Sequence, residues 1–172
     1  MGTERTGRVG AARVSVVVLA VAAISAAVLL GRSGQAADPL PAGAVSAGEI
    51  SVYDAYVREP ASPANAAAYF TIRNAGTDAD ELVRVTTAAA PTVSLHDLPG
   101  APGHHAGGQL LIEPSSTVRL APGHGHAMLE APTAILAPGE TVTLVLTFAR
   151  AGELRALVPV LAIGTDPPGG RL

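Results

Sequence analysis

The chain of 172 residues contains no cysteine and no tryptophan, and only 3% of its residues are aromatic. The absence of cysteine excludes disulfide bonds, thiolate metal sites and thiol catalysis. It does not locate the protein, because many exported proteins have no disulfide. With so few aromatic side chains, a hydrophobic core must be built mainly from aliphatic residues.

Lysine is absent as well, so all eleven basic residues are arginines. From Asp38 onward the chain has seven arginines and thirteen carboxylates, a net charge of about −6. Proteins that bind nucleic acid present clusters of basic side chains to the phosphates. No such cluster occurs here, and we expect no nucleic-acid partner.

The first 37 residues have the order of a secretory signal. Three arginines precede an uncharged run of 17 residues at positions 14–30, and small residues follow as far as Ala37. The run is long for a signal core and short for a membrane-spanning helix. We expect either cleavage near Ala36 or Ala37, or retention of residues 1–37 as an N-terminal membrane anchor. In both cases the domain is periplasmic or extracellular, and it meets the membrane only through that anchor.

After a Pro/Ala/Gly-rich linker at 38–48, short apolar runs alternate with turn residues over a domain at 49–161. The clearest run is 141–148, where four apolar residues form one face and three threonines supply most of the other, and no stretch of the domain shows a sustained helical period. The predicted strands are 50–57, 67–73, 82–86, 92–98, 109–113, 117–120, 126–130, 141–149 and 154–160. Many short strands predict an all-β fold, an antiparallel Greek-key β-sandwich. The Pro/Gly-rich tail at 162–172 is expected to be disordered.

All five histidines, and the only methionine besides the initiator, lie between positions 96 and 128. The tightest unit is His126 with Met128, because residues i and i+2 of a strand point to the same face. Imidazole and thioether would then project side by side as ligands for one metal ion. The alternative is that Met128 fills the core and His126 lies at a loop edge.

The other histidines indicate a metal site less strongly when each is taken alone. His96 ends an apolar strand on the face away from the core, which is typical of a surface or hydrogen-bonded histidine. His104 and His105 lie in a Gly/Pro-rich loop and are either solvated or ligands. His124 is an exposed neighbour of His126 or a second-choice ligand.

The sequence contains no familiar catalytic pattern. Neither a Gly-x-Ser-x-Gly elbow nor a His-Glu-x-x-His helix occurs. Asp97 adjoins His96 in sequence and is therefore expected to face the opposite way. We expect no enzymatic activity.

Several segments resemble the periplasmic copper chaperones of the PCuAC type, which have a cupredoxin-like fold. The resemblance covers about residues 50–160. The segments that carry it are AAYFTIRN at 67–74, VSLH at 93–96, LAPGHGHAML at 120–129, LAPGETV at 136–142 and LVLTF at 144–148, followed by Ala151 and Gly152.

The metal motif of that family is a histidine, then a methionine, then His-x-Met. His96 matches the first histidine, and His126 and Met128 match the final pair. The middle methionine is missing, although 21 residues separate His104 from His126, which is close to the family spacing. Either His104 or His105 replaces the methionine, or the site has three protein ligands.

The resemblance implies that the metal is copper. Thioethers favour Cu(I), whereas imidazole binds both oxidation states, so this histidine-rich variant should also tolerate Cu(II). It implies a chaperone that transfers copper by ligand exchange to an acceptor, such as a cytochrome oxidase subunit or another copper chaperone. A blue-copper electron carrier would need a cysteine thiolate. The competing interpretation is a secreted β-sandwich adhesion or interaction module with incidental histidines.

Overall fold

Ten β-strands make up the regular structure of the computed structural model, which describes residues 39–99 and 108–170. The strands are β1 (Val45–Ala47), β2 (Ile50–Arg58), β3 (Asn65–Asn74), β4 (Asp80–Thr87), β5 (Thr92–His96), β6 (Leu110–Ile112), β7 (Ser116–Leu120), β8 (His126–Glu130), β9 (Thr141–Phe148) and β10 (Gly152–Leu161). The described residues form no helix that is long and apolar enough to cross a membrane. The export segment expected at 1–37 lies outside the described residues.

The strands form two sheets, and β10 pairs with strands of both. In the first sheet the order is β5-β8-β3-β2, with β1 added to β2 and β7 added to β3. In the second the order is β10-β9-β4-β6. The end of β10 runs parallel to the end of β2 and joins the sheets, and every other pairing of these ten strands is antiparallel. The predicted all-β, cupredoxin-like sandwich is confirmed.

The core lies where the apolar faces of the two sheets meet. Along β9 the burial alternates with period two, so Leu144 and Leu146 are fully buried, while Val145 between them and the three threonines of the strand are exposed or half-buried. Leu146 has Val85 of β4 and Leu154 of β10 as its cross-strand neighbours. As the composition predicts, the core is almost wholly aliphatic.

The structure also describes two segments outside the predicted strands. Strand β1 lies inside the predicted linker 38–48 and pairs with β2, and three residues are too few to show an alternating pattern. The tail predicted to be disordered is described as far as Gly170. Arg58 at the end of β2 donates to the carbonyl oxygens of Ala162 and Thr165 in this tail, at 2.7 and 3.0 Å.

Strand β5 ends at His96, two residues before its predicted end. The next residue, Asp97, has φ of +49°, in the left-handed region, and this turns the chain out of the strand. The chain therefore leaves the sheet directly after the first candidate ligand.

The core makes a testable prediction about the protein without metal. Leu146→Ala should lower the free energy of unfolding by about 2–5 kcal/mol through lost burial and a residual cavity. The control is Leu157→Ala on the neighbouring strand β10, where the side chain is 68% exposed and the change should stay within about 0.5 kcal/mol. Denaturant unfolding of the metal-free protein measures both. If the metal-free protein shows no cooperative unfolding transition, the prediction that the core folds independently of the metal site is wrong.

Candidate metal centre

Strands β5 and β8 bring two distant histidines together. In their antiparallel register, His96 lies directly opposite His126. The two imidazole rings are stacked, with centroids 5.3 Å apart and planes inclined by 9°. Both side chains are half-buried and lie on the outer face of the sheet, as the alternation predicts.

Met128 lies on the same outer face of β8. Its neighbours on the strand, Ala127 and Leu129, are fully buried in the core, whereas Met128 is half-buried. Across the sheet it faces Ser94 of β5 on one side and Ala67 of β3 on the other. Met128 is therefore an outer-face residue next to the histidine pair, and not a core residue.

A row of rings continues from His126 across the sheet. The ring of Tyr69 on β3 lies 6.2 Å from that of His126, and the ring of Tyr56 on β2 lies 5.1 Å from that of Tyr69. The guanidinium of Arg58 lies 5.0 Å from the centre of the Tyr56 ring, a cation–π arrangement. His126 is thus held between two rings, one on each neighbouring strand.

The turn before β8 depends on a glycine. Gly125 is buried and has φ of +91°, a conformation that side chains rarely adopt. A Cβ atom placed there would lie 2.9 Å from the carbonyl oxygen of Asp97. This close approach lets the chain enter β8 directly beside the end of β5, which is the end that carries His96.

Burial lowers the pKa of His126, and the neighbouring His96 lowers it further. The carboxylate of Asp97 acts in the opposite direction and is the smallest of the three effects. The neutral imidazole is therefore favoured, and a neutral ring has the free nitrogen lone pair that a metal ion needs.

Sequence reasoning missed two further polar residues of this face. The Ser94 hydroxyl lies 2.8 Å from Nε2 of His96, and it donates a hydrogen bond to Oε1 of Glu130. The two-residue spacing that joins His126 to Met128 also links Ser94 to His96, and Glu130 to Met128. This spacing could have indicated from the sequence that Ser94 and Glu130 lie on the same face as the candidate ligands.

The remaining histidines are not part of the described cluster. His104 and His105 lie outside the described residues, so their role stays a prediction. His124 is exposed and lines a cavity of about 560 Å³ with Tyr56 and Tyr69. Over residues 39–99 and 108–170, no three His, Cys, Asp or Glu side chains form a group that could hold a metal ion. The described face instead offers two imidazoles and a thioether, a donor set that suits copper.

The fold matches solved PCuAC domains. The apo PCuAC domain from PmoF1 has a TM-score of 0.63 at 25% identity, over 69% of this chain and 98% of that one. The copper-bound PCuAC domain from PmoF2 has a TM-score of 0.61 at 24% identity, over 69% and 97%. The Cu(I) form of DR1885 from Deinococcus radiodurans has a TM-score of 0.52 at 25% identity, over 70% and 80%. The domain is therefore of the PCuAC type, as the sequence resemblance predicts.

Sequence comparison gives the narrower family. Residues 50–160 match the family model described as "Putative lipoprotein LpqE-like". The protein named "Putative lipoprotein Lxx21020" from Leifsonia xyli subsp. xyli (strain CTCB07) is 32% identical over 143 residues, which cover 78% of this chain and 85% of that protein. The chain belongs to the LpqE-like family. The names of these relatives are those of PCuAC domains and lipoproteins, not of enzymes.

The environment of His126 predicts its titration in the metal-free protein. Because its pKa is lowered, His126 should stay neutral as the pH falls through the ordinary value of 6.5 and take up a proton only at lower pH. NMR titration of the imidazole signals measures this. In His96→Ala the pKa of His126 should rise, since the neighbouring charge is removed and the ring becomes more exposed. Protonation of His126 at or above pH 6.5 in the wild type would contradict the described packing.

Proposed function

We propose that this protein is an extracytoplasmic copper chaperone, which holds copper on the outer face formed by β5 and β8 and transfers it to an acceptor protein. The observation that carries the proposal is the stacked pair His96 and His126, with Met128 beside it on the same face. Solved domains of the same fold, described as copper-bound PmoF2 and Cu(I)-DR1885, support it.

In this proposal His96, His126 and Met128 bind one copper ion, and His104 or His105 supplies a fourth ligand. The nitrogen lone pairs of imidazole lie in the plane of the ring. Because the two ring planes are inclined by only 9°, their lone pairs do not converge on one point, and at least one ring must turn before both can reach the same ion. The two rings therefore lie close together without being directed at one ion.

Copper is cargo here, and the chemistry is ligand exchange. Thioether sulfur favours Cu(I), and imidazole binds both oxidation states. All three proposed ligands of the described face are half-buried, so ligands of an acceptor can approach the ion from solvent before the donor ligands leave. Copper held at such an open face by few ligands can be released to an acceptor more easily than copper in an enclosed site.

The location and the acceptor belong to the same proposal. The family name points to a lipoprotein, but these 172 residues include no cysteine to which a lipid could be attached. Residues 1–37 would then either be removed on export or hold the domain at the outer face of the cytoplasmic membrane. The acceptor is another exported copper protein, such as a cytochrome oxidase subunit or a second chaperone.

Substitution of the three ligands tests the site. Met128→Leu keeps size and apolarity but removes sulfur, so affinity for Cu(I) should fall more than affinity for Cu(II). His96→Ala and His126→Ala should lower the affinities for Cu(I) and for Cu(II) by at least about tenfold. Loss of a residue that only supports a metal ligand already costs about 10–100-fold, and loss of a ligand should cost no less. Competition against a Cu(I) chelator and a Cu(II) chelator measures each variant, and His124→Ala, at an exposed position, is the control.

The loop histidines make a separate prediction. Replacing His104 and His105 together should weaken Cu(II) binding more than Cu(I) binding, because two histidines and a thioether still form a three-coordinate Cu(I) site. The same chelator competition measures it. If Met128→Leu leaves Cu(I) affinity unchanged, the His126–Met128 pair is not the site. If the wild type also fails to retain copper, the interaction-module interpretation replaces the chaperone.

Export is tested independently. Sequencing of the N-terminus of the protein recovered outside the cytoplasm should give a start near Ala37 or Asp38, or the uncleaved chain in the membrane fraction. Full-length protein found mainly in the cytosol would contradict both forms of the prediction.

A further inference from the structure

A hydrogen-bonded chain of three side chains runs along the outer face beside the proposed copper ligands. Nε2 of His96 contacts the Ser94 hydroxyl at 2.8 Å, and that hydroxyl contacts the Glu130 carboxylate. Ser94 and His96 lie on β5, while Glu130 lies on β8 opposite Thr92. All three members of the chain are half-buried, which shields the hydrogen bonds from competing water.

The chemistry of these groups determines where the protons lie. A carboxylate has no proton to give, so the Ser94 hydroxyl donates its single proton to Glu130. Ser94 can then only accept from His96, and Nε2 of that ring must carry a proton. In the neutral imidazole the lone pair is therefore on Nδ1.

The two histidines are held differently. His96 is fixed by its hydrogen bond to Ser94, whereas the described contacts of the His126 ring are with the rings of His96 and Tyr69. Ring contacts restrict a side chain less in direction than a hydrogen bond does. When one ring must turn to bring two lone pairs together, His126 is the ring that turns.

We propose that Ser94 and Glu130 are positioning residues for copper, which fix His96 so that Nδ1 is its metal-binding atom. This inference rests on the proposed function. Metal-binding histidines commonly donate their second ring N–H to a carboxylate or carbonyl, which sets the ring orientation and raises the basicity of the metal-binding nitrogen. Here a serine hydroxyl relays that contact to the carboxylate.

The metal-free protein gives the first test. NMR should show a His96 Nε2–H signal protected from exchange with solvent. The signal should be lost in Ser94→Ala and kept in Ser94→Thr, which retains the hydroxyl. It should also be kept in the control Thr92→Ala, which removes a different hydroxyl from the same face. In Glu130→Gln it should weaken, because an amide can donate to Ser94 and free the serine proton to point at Nε2. A deprotonated Nε2 in the wild type would overturn the proposal.

The Cu(I)-loaded protein gives the second test. Nitrogen shifts should identify Nδ1 of His96 as the coordinated atom, with the Nε2 proton retained and the larger ring movement at His126. Ser94→Ala should lower Cu(I) affinity by about 10–100-fold, with Ser94→Thr close to wild type and Thr92→Ala unchanged. Coordination through Nε2, or full affinity in Ser94→Ala, would overturn the positioning role even if copper binds at His96, His126 and Met128. If the wild type binds no copper, the proposed function is wrong, and the positioning role of Ser94 and Glu130 is wrong as well.

Discussion

The register between β5 and β8 is the constraint on which the candidate site depends. It places His96 opposite His126 and Ser94 opposite Met128. A slip of one residue would turn the side chains of β5 to the other face. Leu95 would then leave the core, where it is now buried. Burial of the apolar residues between the proposed ligands therefore stabilises the arrangement of the ligands themselves.

The same pairing also determines the electrostatic state of the face. The two imidazoles are too close to be charged together without repulsion, and partial burial adds to the cost of charging His126. Both effects keep the lone pair of His126 available. His96 is held by a hydrogen bond to the Ser94 hydroxyl, which in turn donates to Glu130. One ring is thus anchored and the other packs between rings, on a face that solvent can still reach.

The period of two residues explains why much of this could be predicted from the sequence. Nine of the ten strands overlap strands predicted from the sequence. The placement of His126 and Met128 on the outer face follows from their alternation with the buried Ala127 and Leu129. Strand β1 was missed because three residues cannot show a period. The stacking of His96 on His126 and the contact of Ser94 with Glu130 depend on pairing between distant strands. Alternation gives the face of each residue but not its partner across the sheet.

Copper binding by His96, His126 and Met128 can be tested by X-ray absorption of the Cu(I)-loaded protein, because sulfur and nitrogen ligands scatter differently. The wild type has one candidate sulfur on this face, Met128, since the chain has no cysteine. We expect one sulfur and two or three nitrogen ligands in the wild type, and nitrogen ligands alone in Met128→Leu. A wild-type spectrum without sulfur, or one that Met128→Leu leaves unchanged, would show that Met128 does not bind the copper.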